Sequence, residues 1–265
     1  MDFDFNLIGV PFGMRPGLRR IGPGTPQLTA LQPGGPLWLE KASVCDAGAS
    51  RHQVPGFDAA PALRAVAGHA AAIGCPLAPA AAPELAFEED LAVLDGATGT
   101  LPWLAVCVPS HWAPEDKVGL DFAALHGPVA DNAALVAASR QLVALVTGGE
   151  SWERHVWTIS PSGRHDQHPH RHARTPWPDP DDADRFAAGC WLRAERQTFL
   201  PVGQGTRQAV FTIRVMLQPL PQAVAAPWQA RRLRDALASM SPAVLAYKNL
   251  ERAREPLLRW LASRG

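Results

Sequence analysis

The sequence predicts an α+β fold in which helices pack on an antiparallel sheet. Two segments, "CWLRAERQTFLPV" and "RQAVFTIRVMLQPL", alternate apolar and polar residues, and the "GQGT" between them favours a hairpin turn. Helical spacing of apolar residues appears after Asp58, over 131–149, and in two segments over 228–265. Together these observations predict strands joined by at least one hairpin and packed by several helices.

The composition bounds the class of protein. The chain has 265 residues, of which 47% are hydrophobic and 19% are charged. These proportions are typical of a soluble globule and exclude a disordered or coiled-coil chain. The length allows one large domain or two small ones, and we expect one. We place an arm rich in glycine and proline over 1–56, packed on a single domain over 57–265.

The charge distribution limits the partners. The formal net charge is zero, which argues against a dedicated nucleic-acid-binding protein. Cations nevertheless concentrate after residue 150, and nearly all of them are arginines. They could bind nucleic acid, a carboxylate or phosphate ligand, or the acidic first half of the chain, and the last is the simplest interpretation.

The cysteines and the first residues indicate the compartment. Cys45, Cys75, Cys107 and Cys190 lie at least 30 residues apart, which does not match metal or iron-sulfur spacing, and we interpret them as packed thiols. The start "MDFDFNLIGVPFG" lacks a basic region and a long apolar core. No apolar run approaches the roughly 18 residues of a membrane span. We expect a cytoplasmic protein.

Local patterns place most elements before residue 160. Asp58 can cap a helix that Gly74 ends. We interpret "CPLAPAAAPELAFEEDLAVLDG" as an alanine-proline linker followed by a helix that carries Phe87, Leu91 and Leu94, with its acidic residues on a solvated face. "WLAVCV" has the pattern of a buried strand, "DNAALVAASRQLVALVTGG" that of a strong helix, and "RHVWTIS" that of a strand.

The last segments are predicted to be two helices, "WQARRLRDALASM" and "PAVLAYKNLERAREPLLRWLASRG". Pro256 should bend or divide the second of them. In the strand before, the two-residue period puts Arg193 and Glu195 on one face and Arg196 on the other. Arg196 should therefore not share a role with the other two.

One string, "VCVPSHWAPEDKVGLDFAALHGPV", resembles the P-S-x-W, E-K-x-G and I-H-x-P-V-P signature of the haem-dependent oxidative N-demethylase family. Further similar segments follow in order: "FEEDLAVL", "RHVWTI", "LRAERQTF", "AVFTIRVMLQPL" and "YKNL". The resemblance spans roughly residues 84 to 262, and "RPGL" at 15–18 is a weaker trace of it.

The resemblance implies a PAS-like fold in which an antiparallel sheet and flanking helices form a pocket for one haem b. It also implies a monooxygenase that oxidises small methylated amines with O2. The chain has neither iron-sulfur cysteine spacing nor a G-x-G-x-x-G between a strand and a helix. The electrons would come from a separate flavin and iron-sulfur reductase.

His126 stands at the histidine position of the I-H-x-P-V motif. The resemblance implies that it is the proximal ligand of the haem iron, and Pro128 would stiffen the backbone beyond it. A haem that is not covalently attached needs an axial donor, an apolar slot and partners for its propionates. The alternative is a loop histidine that bonds to the backbone.

Three cations of the family motifs, Lys117, Arg193 and Arg196, are the candidate propionate partners. Arginine offers a bidentate fork, and cations are costly to bury without an anionic partner. The alternative is that they form internal pairs with Glu195 or Asp116.

Glu195 is the candidate catalytic residue. A methylated amine is protonated near neutral pH, and a carboxylate could hold the ammonium or accept its proton. The alternative is that Glu195 only locks Arg193 or Arg196 in place.

The chain departs from the family pattern at several positions. Val156 stands in "RHVW" where the family usually has an amide, Ala130 ends "PVA" where it has proline, and Tyr247 is the single tyrosine. The segment "RHDQHPHRHAR" is also unusual. We interpret its four histidines as a solvated loop, because proline breaks their spacing and no cysteine or carboxylate cluster completes a metal shell. The histidines are His165, His168, His170 and His172.

The function implied is that of a haem subunit that removes a methyl group from a small amine and releases it as formaldehyde. A different class of function is a non-catalytic, PAS-like sensor that binds haem or a small ligand, which the divergence at Val156 would suit. A third is a relative that retains the fold without haem.

Overall fold

The computed structural model describes residues 3–78 and 81–265. The strands are β1 (Arg19–Arg20), β2 (Arg51–Gln53), β3 (Asp90–Asp95), β4 (Trp103–Ala105), β5 (Trp152–Ser160), β6 (Trp191–Pro201) and β7 (Gln208–Pro219). The helices are α1 (Pro36–Asp46), α2 (Ala60–Ala72), α3 (Pro83–Ala86), α4 (Phe122–His126), α5 (Ala133–Ala137), α6 (Ser139–Val146), α7 (Ala183–Ala188), α8 (Leu220–Ala223), α9 (Pro227–Ala238), α10 (Pro242–Tyr247) and α11 (Arg254–Ala262). Short 3-10 helices cover Phe5–Leu7 and Pro114–Asp116. The predicted alanine-proline linker before α3 falls partly on 79–80, outside the described residues.

The strands form one seven-stranded sheet in the order β1-β5-β6-β7-β3-β4-β2, and every pairing is antiparallel. The predicted α+β class is confirmed. The predicted hairpin is also present as β6 and β7, whose register runs from Trp191 opposite Pro219 to Pro201 opposite Ala209. Positive φ angles at Gly203, Gln204 and Gly205 let the chain reverse there.

The first 56 residues contribute both edge strands of the sheet. β1 pairs with β5, so that Arg19 lies opposite Glu153, and β2 pairs with β4, so that Arg51 lies opposite Ala105. The arm expected from composition therefore carries strands of the same sheet as the rest of the chain. The boundary between an arm over 1–56 and a domain over 57–265 stays a prediction.

One side of the sheet, which we call the back face, carries Trp157, Ile159, Leu192 and Ala194. They pack against apolar residues of the carboxy-terminal helices α9 and α11 and of α7, including Leu233, Trp260 and Phe186. Each of these seven side chains is at most 6% exposed. This cluster contains many of the buried apolar residues and anchors the strands from behind.

The opposite side, which we call the front face, carries Arg154, Val156, Arg193, Glu195 and Gln197 in its middle. Helices cover only parts of it: α1 packs there through Val44, α4 through Phe122, and α6 through Val143 and Val146. All but Arg193 among the five middle residues are half-buried. The front face therefore holds a partly open, polar centre between apolar patches.

The predicted helix over "PELAFEEDLAVLDG" is wrong beyond Ala86, because residues 90–95 form β3. This strand is buried on both sides, with Leu91 and Val93 on the back face and Ala92 and Leu94 on the front. A strand covered on both faces reads as a continuous apolar run, which periodicity cannot distinguish from a buried helix.

The acidic residues before β3 are not on a solvated face, as the sequence suggested. Glu89 is 1% exposed and accepts the backbone N–H of Thr29 at 2.8 Å. Asp90 is 2% exposed and lies 3.1 Å from Nζ of Lys41, a fully buried residue of α1. Burial raises the pKa of Glu89. These groups tie the amino-terminal segment to the sheet.

Two further helix predictions need correction. The strong helix over 131–149 is divided at Ala138 into α5 and α6. The final helical segment is divided before Pro256, at residues 248–253, where Asn249 has a φ of 56°. Pro256 itself lies in the first turn of α11, where its missing N–H has no intrahelical partner to lose.

The longest helix of residues 3–78 and 81–265 is α2, at 13 residues. Within this part of the chain, no helix has both the length and the apolar character needed to cross a membrane.

Gly96, just after β3, fills a space that admits no side chain. Its N–H donates to the Arg207 carbonyl at 2.6 Å, and an added Cβ would lie 2.7 Å from that oxygen and overlap Oγ1 of Thr147. We expect Gly96→Ala to lower the free energy of unfolding by about 1–3 kcal/mol. Gly68→Ala is the control, because no atom lies within 4 Å of an added Cβ there. It should raise stability by about 0.5–1 kcal/mol within α2. Urea unfolding of both variants tests this, and equal midpoints would contradict it.

Candidate functional site

Two strands bring the polar centre of the front face together. The β5 and β6 register places Val156 opposite Glu195 and Arg154 opposite Gln197. Residues opposite each other in an antiparallel pair share a face, and diagonal neighbours are within reach of long side chains. Arg154 and Glu195 are therefore neighbours, as are Glu195 and Arg193.

A hydrogen-bonded chain runs from Arg193 through Ser110 to Glu195. Nε of Arg193 donates to Oγ of Ser110 at 2.8 Å. The serine hydroxyl has one proton and donates it to Oε1 of Glu195. The other carboxylate oxygen accepts from Nε2 of Gln197 at 2.7 Å. Both oxygens of Glu195 are thus held in fixed positions, and the predicted shared face of Arg193 and Glu195 is confirmed.

Arg193 is 2% exposed, and most of its donors are used inside the protein. Besides the bond to Ser110, its guanidinium donates to the carbonyls of Arg164, Val108 and His165 at 3.2, 3.3 and 2.9 Å. Arg193 therefore connects the residues that follow β4 to the loop after β5. These hydrogen bonds leave few guanidinium N–H groups of Arg193 free to bind a ligand.

The charge of Glu195 acts on two cations, Arg154 and Lys248, and on Tyr247 at the end of α10. Nζ of Lys248 donates to the Trp157 carbonyl at 2.8 Å, at a part of β5 that β1 does not cover. Burial, together with the charge of Arg154, lowers the pKa of Lys248 to about 8. The amino group of Lys248 therefore loses its proton more readily than that of an ordinary lysine.

His126 ends α4, and Asp121 caps the start of this helix, where its carboxylate accepts the Ala124 N–H at 2.7 Å. Its Nδ1 donates to the Phe122 carbonyl at 2.7 Å, and its ring stacks on that of Phe122 with centroids 4.1 Å apart. Nδ2 of Asn132 donates to the His126 carbonyl at 2.9 Å. The ring is thus fixed in orientation, with Nδ1 protonated and Nε2 carrying the lone pair.

The imidazole of His126 favours its neutral form. Burial lowers its pKa below the ordinary 6.5, and the charges of Arg154 and Lys117 lower it further, against the opposing effect of the Phe122 carbonyl. The charges of Arg154 and Lys117 thus both act on the ring of His126. The roles of Lys117 and His126 as haem contacts stay predictions.

Within residues 3–78 and 81–265, Arg154 of β5 has an unsatisfied hydrogen-bond donor. Its Nε is buried and has no hydrogen-bond partner within the described part of the chain. Burial lowers its pKa, which Glu195 and Tyr247 partly oppose. A guanidinium in such a position has a cost that an added anion would remove.

Arg196 lies apart from this front-face group, on the back face. Its Nε donates to Oε2 of Glu153 at 2.9 Å, and its Nη1 donates to the Pro26 carbonyl at 2.8 Å. The separation of Arg196 from Arg193 and Glu195, expected from the strand period, is confirmed. Arg196 thus forms an internal ion pair, which was the alternative to a propionate contact. Its partner is Glu153 rather than Glu195 or Asp116.

Sequence reasoning gave no role to two members of the group, Ser110 and Arg154. Both stand in quoted motifs, "PSHW" and "RHVW". Arg154 could have been placed beside Glu195 only with the register of β5 against β6. Ser110 follows a strand end, where no periodicity applies, so its partner could not be read from the sequence.

The histidine-rich segment is only in part the solvated loop that its composition suggested, because its middle is buried while His170 is exposed. Asp166, Gln167 and His168 are 2–5% exposed. Asp166 accepts from Nε of Arg171 at 2.8 Å and contacts Nε2 of His172 at 3.0 Å. These contacts give the segment a packed, hydrogen-bonded structure.

Carboxylates also lie beside these histidines, contrary to the expectation. Glu115, His168 and His170 place their ligand atoms within 4.8 Å of one another. However, the His170 N–H donates to Nδ1 of His168 at 3.1 Å, so a neutral His168 carries its proton on Nε2. That nitrogen lies 3.1 Å from Oε2 of Glu115 and donates to it. The cluster is thus satisfied by hydrogen bonds and offers no lone pair at Nε2 for a metal.

Two cavities lie beside this segment. One, of about 150 Å³, is lined by α1 residues and by Arg171 and His172, and a smaller one by His111, Gln167 and Arg174. Neither includes His126, Arg154 or Glu195 in its lining. A haem pocket on the front face therefore stays a prediction.

Comparison with known proteins agrees with the resemblance seen in the motifs. A search of curated proteins gave no match. A family model described as haem-dependent oxidative N-demethylase, alpha subunit-like, matches residues 76–258, more than half of the chain. The matched region contains Ser110, Lys117, His126, Arg154 and Glu195. The chain belongs to the haem-dependent oxidative N-demethylase, alpha subunit-like family.

Proposed function

We propose that this protein binds haem b at the front face and, as a monooxygenase, removes a methyl group from a small amine as formaldehyde. The observation that carries the proposal is the state of His126, whose Nδ1 proton is committed to a backbone carbonyl. The family description supports haem dependence and oxidative N-demethylation. When bound, the haem supplies the centre at which O2 is activated.

The residues present fit a haem at three points, beginning with His126. A metal-binding histidine almost always donates its other ring N–H to a carbonyl or carboxylate. His126 has this arrangement, since Nδ1 donates to Phe122 and Nε2 keeps its lone pair. Its lowered pKa keeps the ring neutral, as a ligand must be. The backbone bond considered as an alternative to ligation is therefore compatible with it.

The second point is the pair of cations near His126. Among the described residues, the buried Nε of Arg154 has no hydrogen-bond partner, and the half-buried Lys117 acts on the same imidazole through its charge. Propionates would satisfy both. We therefore assign this role to Arg154 and Lys117. Arg193 holds Ser110 and the loop after β5, and Arg196 lies on the back face.

The third point is Glu195, which we propose as the group that binds the substrate ammonium. Ser110 and Gln197 orient its two oxygens, and the side chain remains half-buried rather than enclosed. Glu195 interacts with Arg193 through Ser110. The alternative role considered for Glu195, to hold Arg193 in place, would therefore be indirect. An ammonium beside the carboxylate would be held in place and could give up its proton there.

The partners follow from what the chain lacks and from its family. An alpha-like subunit belongs to an assembly with other subunits. We propose that a separate flavin and iron-sulfur reductase supplies electrons, because the four cysteines do not have cluster spacing. O2 and a small methylated amine would be the other reactants, and a cytoplasmic location would suit a reduced partner.

Glu195→Gln tests the substrate assignment. The change preserves size while removing the charge, and a hydrogen bond to a charged group is worth roughly 1.5–3 kcal/mol. We expect haem content and melting temperature to stay close to wild type, while the amine-induced shift of the haem spectrum requires about 10- to 100-fold more amine. Glu153→Gln, on the back face, is the matched control and should leave amine affinity unchanged. If Glu195 is only structural, its variant will lose stability or haem and bind amine normally.

The function as a whole is tested with purified protein and a panel of methylated amines. A Soret band that shifts on reduction under carbon monoxide would establish a haem with an open axial position. Formaldehyde release that depends on O2 and a reductant would establish demethylation. Val156, opposite Glu195 where the family has an amide, favours the sensor as the second candidate. A sensor would show the spectral changes without formaldehyde, and protein without haem would overturn both.

A further inference from the structure

Cys45 of α1 lies next to Cys107, which follows β4. Sγ of Cys45 lies 3.9 Å from Sγ of Cys107, although 61 residues separate them in the chain. The sequence indicated only packed thiols, because their spacing matches no local motif. The fold instead makes them direct neighbours, in contact with the apolar cluster of Val44, Val108 and Ile213.

The two thiols differ in access and in acidity. Cys45 is half-buried, whereas Cys107 is fully buried. Contact with the Cys107 thiol, a bond to Ser50 and the charge of Lys41 lower the pKa of Cys45 to about 7. Contact with Cys45 and burial raise the pKa of the Cys107 thiol. The Cys45 sulfur is thus exposed enough and acidic enough to react with an oxidant, and the Cys107 sulfur lies buried next to it.

We propose that Cys45 and Cys107 form an oxidative modification site, in which a peroxide converts the pair to a disulfide. The Cys45 thiolate attacks one oxygen of hydrogen peroxide, the O–O bond breaks, and the products are a sulfenic acid and hydroxide. The Cys107 sulfur then attacks the Cys45 sulfur. The S–O bond breaks, and the Cys107 proton leaves with the hydroxyl as water. Two thiols lose two electrons and the peroxide is reduced to water.

The disulfide would affect the hydrogen-bonded chain of Arg193, Ser110 and Glu195 on the front face. A disulfide needs its sulfurs about 2.05 Å apart, so its formation requires a rotation of the cysteine side chains or a shift of α1 or of residues 106–108. Residue 108, next to Cys107, accepts from Arg193 through its carbonyl. In α1, Glu40 accepts the backbone N–H groups of His165 and Asp166 at 3.2 and 2.7 Å. Both ends of the bridge therefore connect to the surroundings of Arg193, which holds Ser110 against Glu195.

The test is a peroxide titration of the full chain, followed by alkylation of free thiols and mass analysis of a non-reducing digest. We expect a linked peptide pair that contains Cys45 and Cys107 and that dithiothreitol separates. Cys75→Ser and Cys190→Ser are the matched controls and should form it as fast as wild type. Cys45→Ser should abolish it. In Cys107→Ala, a sulfenic-acid probe should label Cys45, because no second thiol remains to convert the sulfenic acid to a disulfide.

Several results would overturn the proposal. One is the accumulation of sulfinic acid at Cys45 while Cys107 remains free, which would show that the buried thiol cannot reach it. Others are a bridge that involves Cys75, or no loss of thiols at peroxide concentrations that oxidise a free cysteine peptide. If Cys107→Ala fails to fold, the wild-type digest and Cys45→Ser still decide the outcome.

Discussion

Purified His126→Ala should lack a stoichiometric haem and its Soret band while keeping the circular dichroism of a folded protein. His126 is half-buried at the end of a five-residue helix, so its side chain contributes little to the core. As an axial ligand it would contribute much more to cofactor affinity. The measurement is haem per chain after reconstitution with excess haem, and we expect a loss of at least about ten-fold, equal to 1.4 kcal/mol or more.

Two controls distinguish a ligand from a histidine that merely supports the loop. His170→Ala removes a histidine with a side chain 65% exposed and should retain haem. Imidazole added to His126→Ala should restore haem binding and a spectrum like that of the wild type, because the free base can occupy the vacated coordination position. Retained haem with an unchanged spectrum in His126→Ala would reject the assignment.

Arg154→Met should change stability in opposite directions in the two forms of the protein. Without haem, the variant should unfold at a higher urea concentration, because an enclosed Nε without a partner is removed. That gain should be about 1–2 kcal/mol. With haem, it should release the cofactor faster, because a propionate partner is lost. The measurements are urea midpoints of both forms and the rate of haem transfer to an acceptor protein.

Arg196→Met provides the matched arginine control. Arg196 pairs with Glu153 on the back face, so its loss leaves a carboxylate that is 6% exposed with one partner fewer. This variant should be less stable with or without haem and should release haem at the wild-type rate. If Arg154→Met destabilises the haem-free protein, its guanidinium is already satisfied, and the propionate role fails.

Local patterns predicted much of the fold and failed where burial depends on distant residues. The β6–β7 hairpin was readable because alternation and a turn lie in one stretch. β3 was not, because both its faces are covered by parts of the chain far away in sequence. Its acidic neighbours looked solvated for the same reason, since the cation beside Asp90 is Lys41, from α1.

The candidate site shows the same division. The strand period correctly placed Arg193 and Glu195 together and Arg196 apart. Arg154 was missed because its position beside Glu195 depends on the pairing of β5 with β6. The satisfied state of His168 depends on Glu115, which comes from a separate 3-10 turn region. Contacts between segments, rather than residue types, decide which of these groups remain available to a ligand.

The two edge strands supplied by the first 56 residues affect the order of folding. β1 pairs with β5 and β2 with β4, so the earliest part of the chain to be synthesised can complete its pairing only after residues 103–105 and 152–160 exist. Non-local pairing of this kind slows folding, and an unpaired strand edge invites association between chains. During synthesis β1 and β2 would thus stay unpaired until their partners, β5 and β4, have been made. A chain that lacks its first 56 residues should aggregate through β4 and β5.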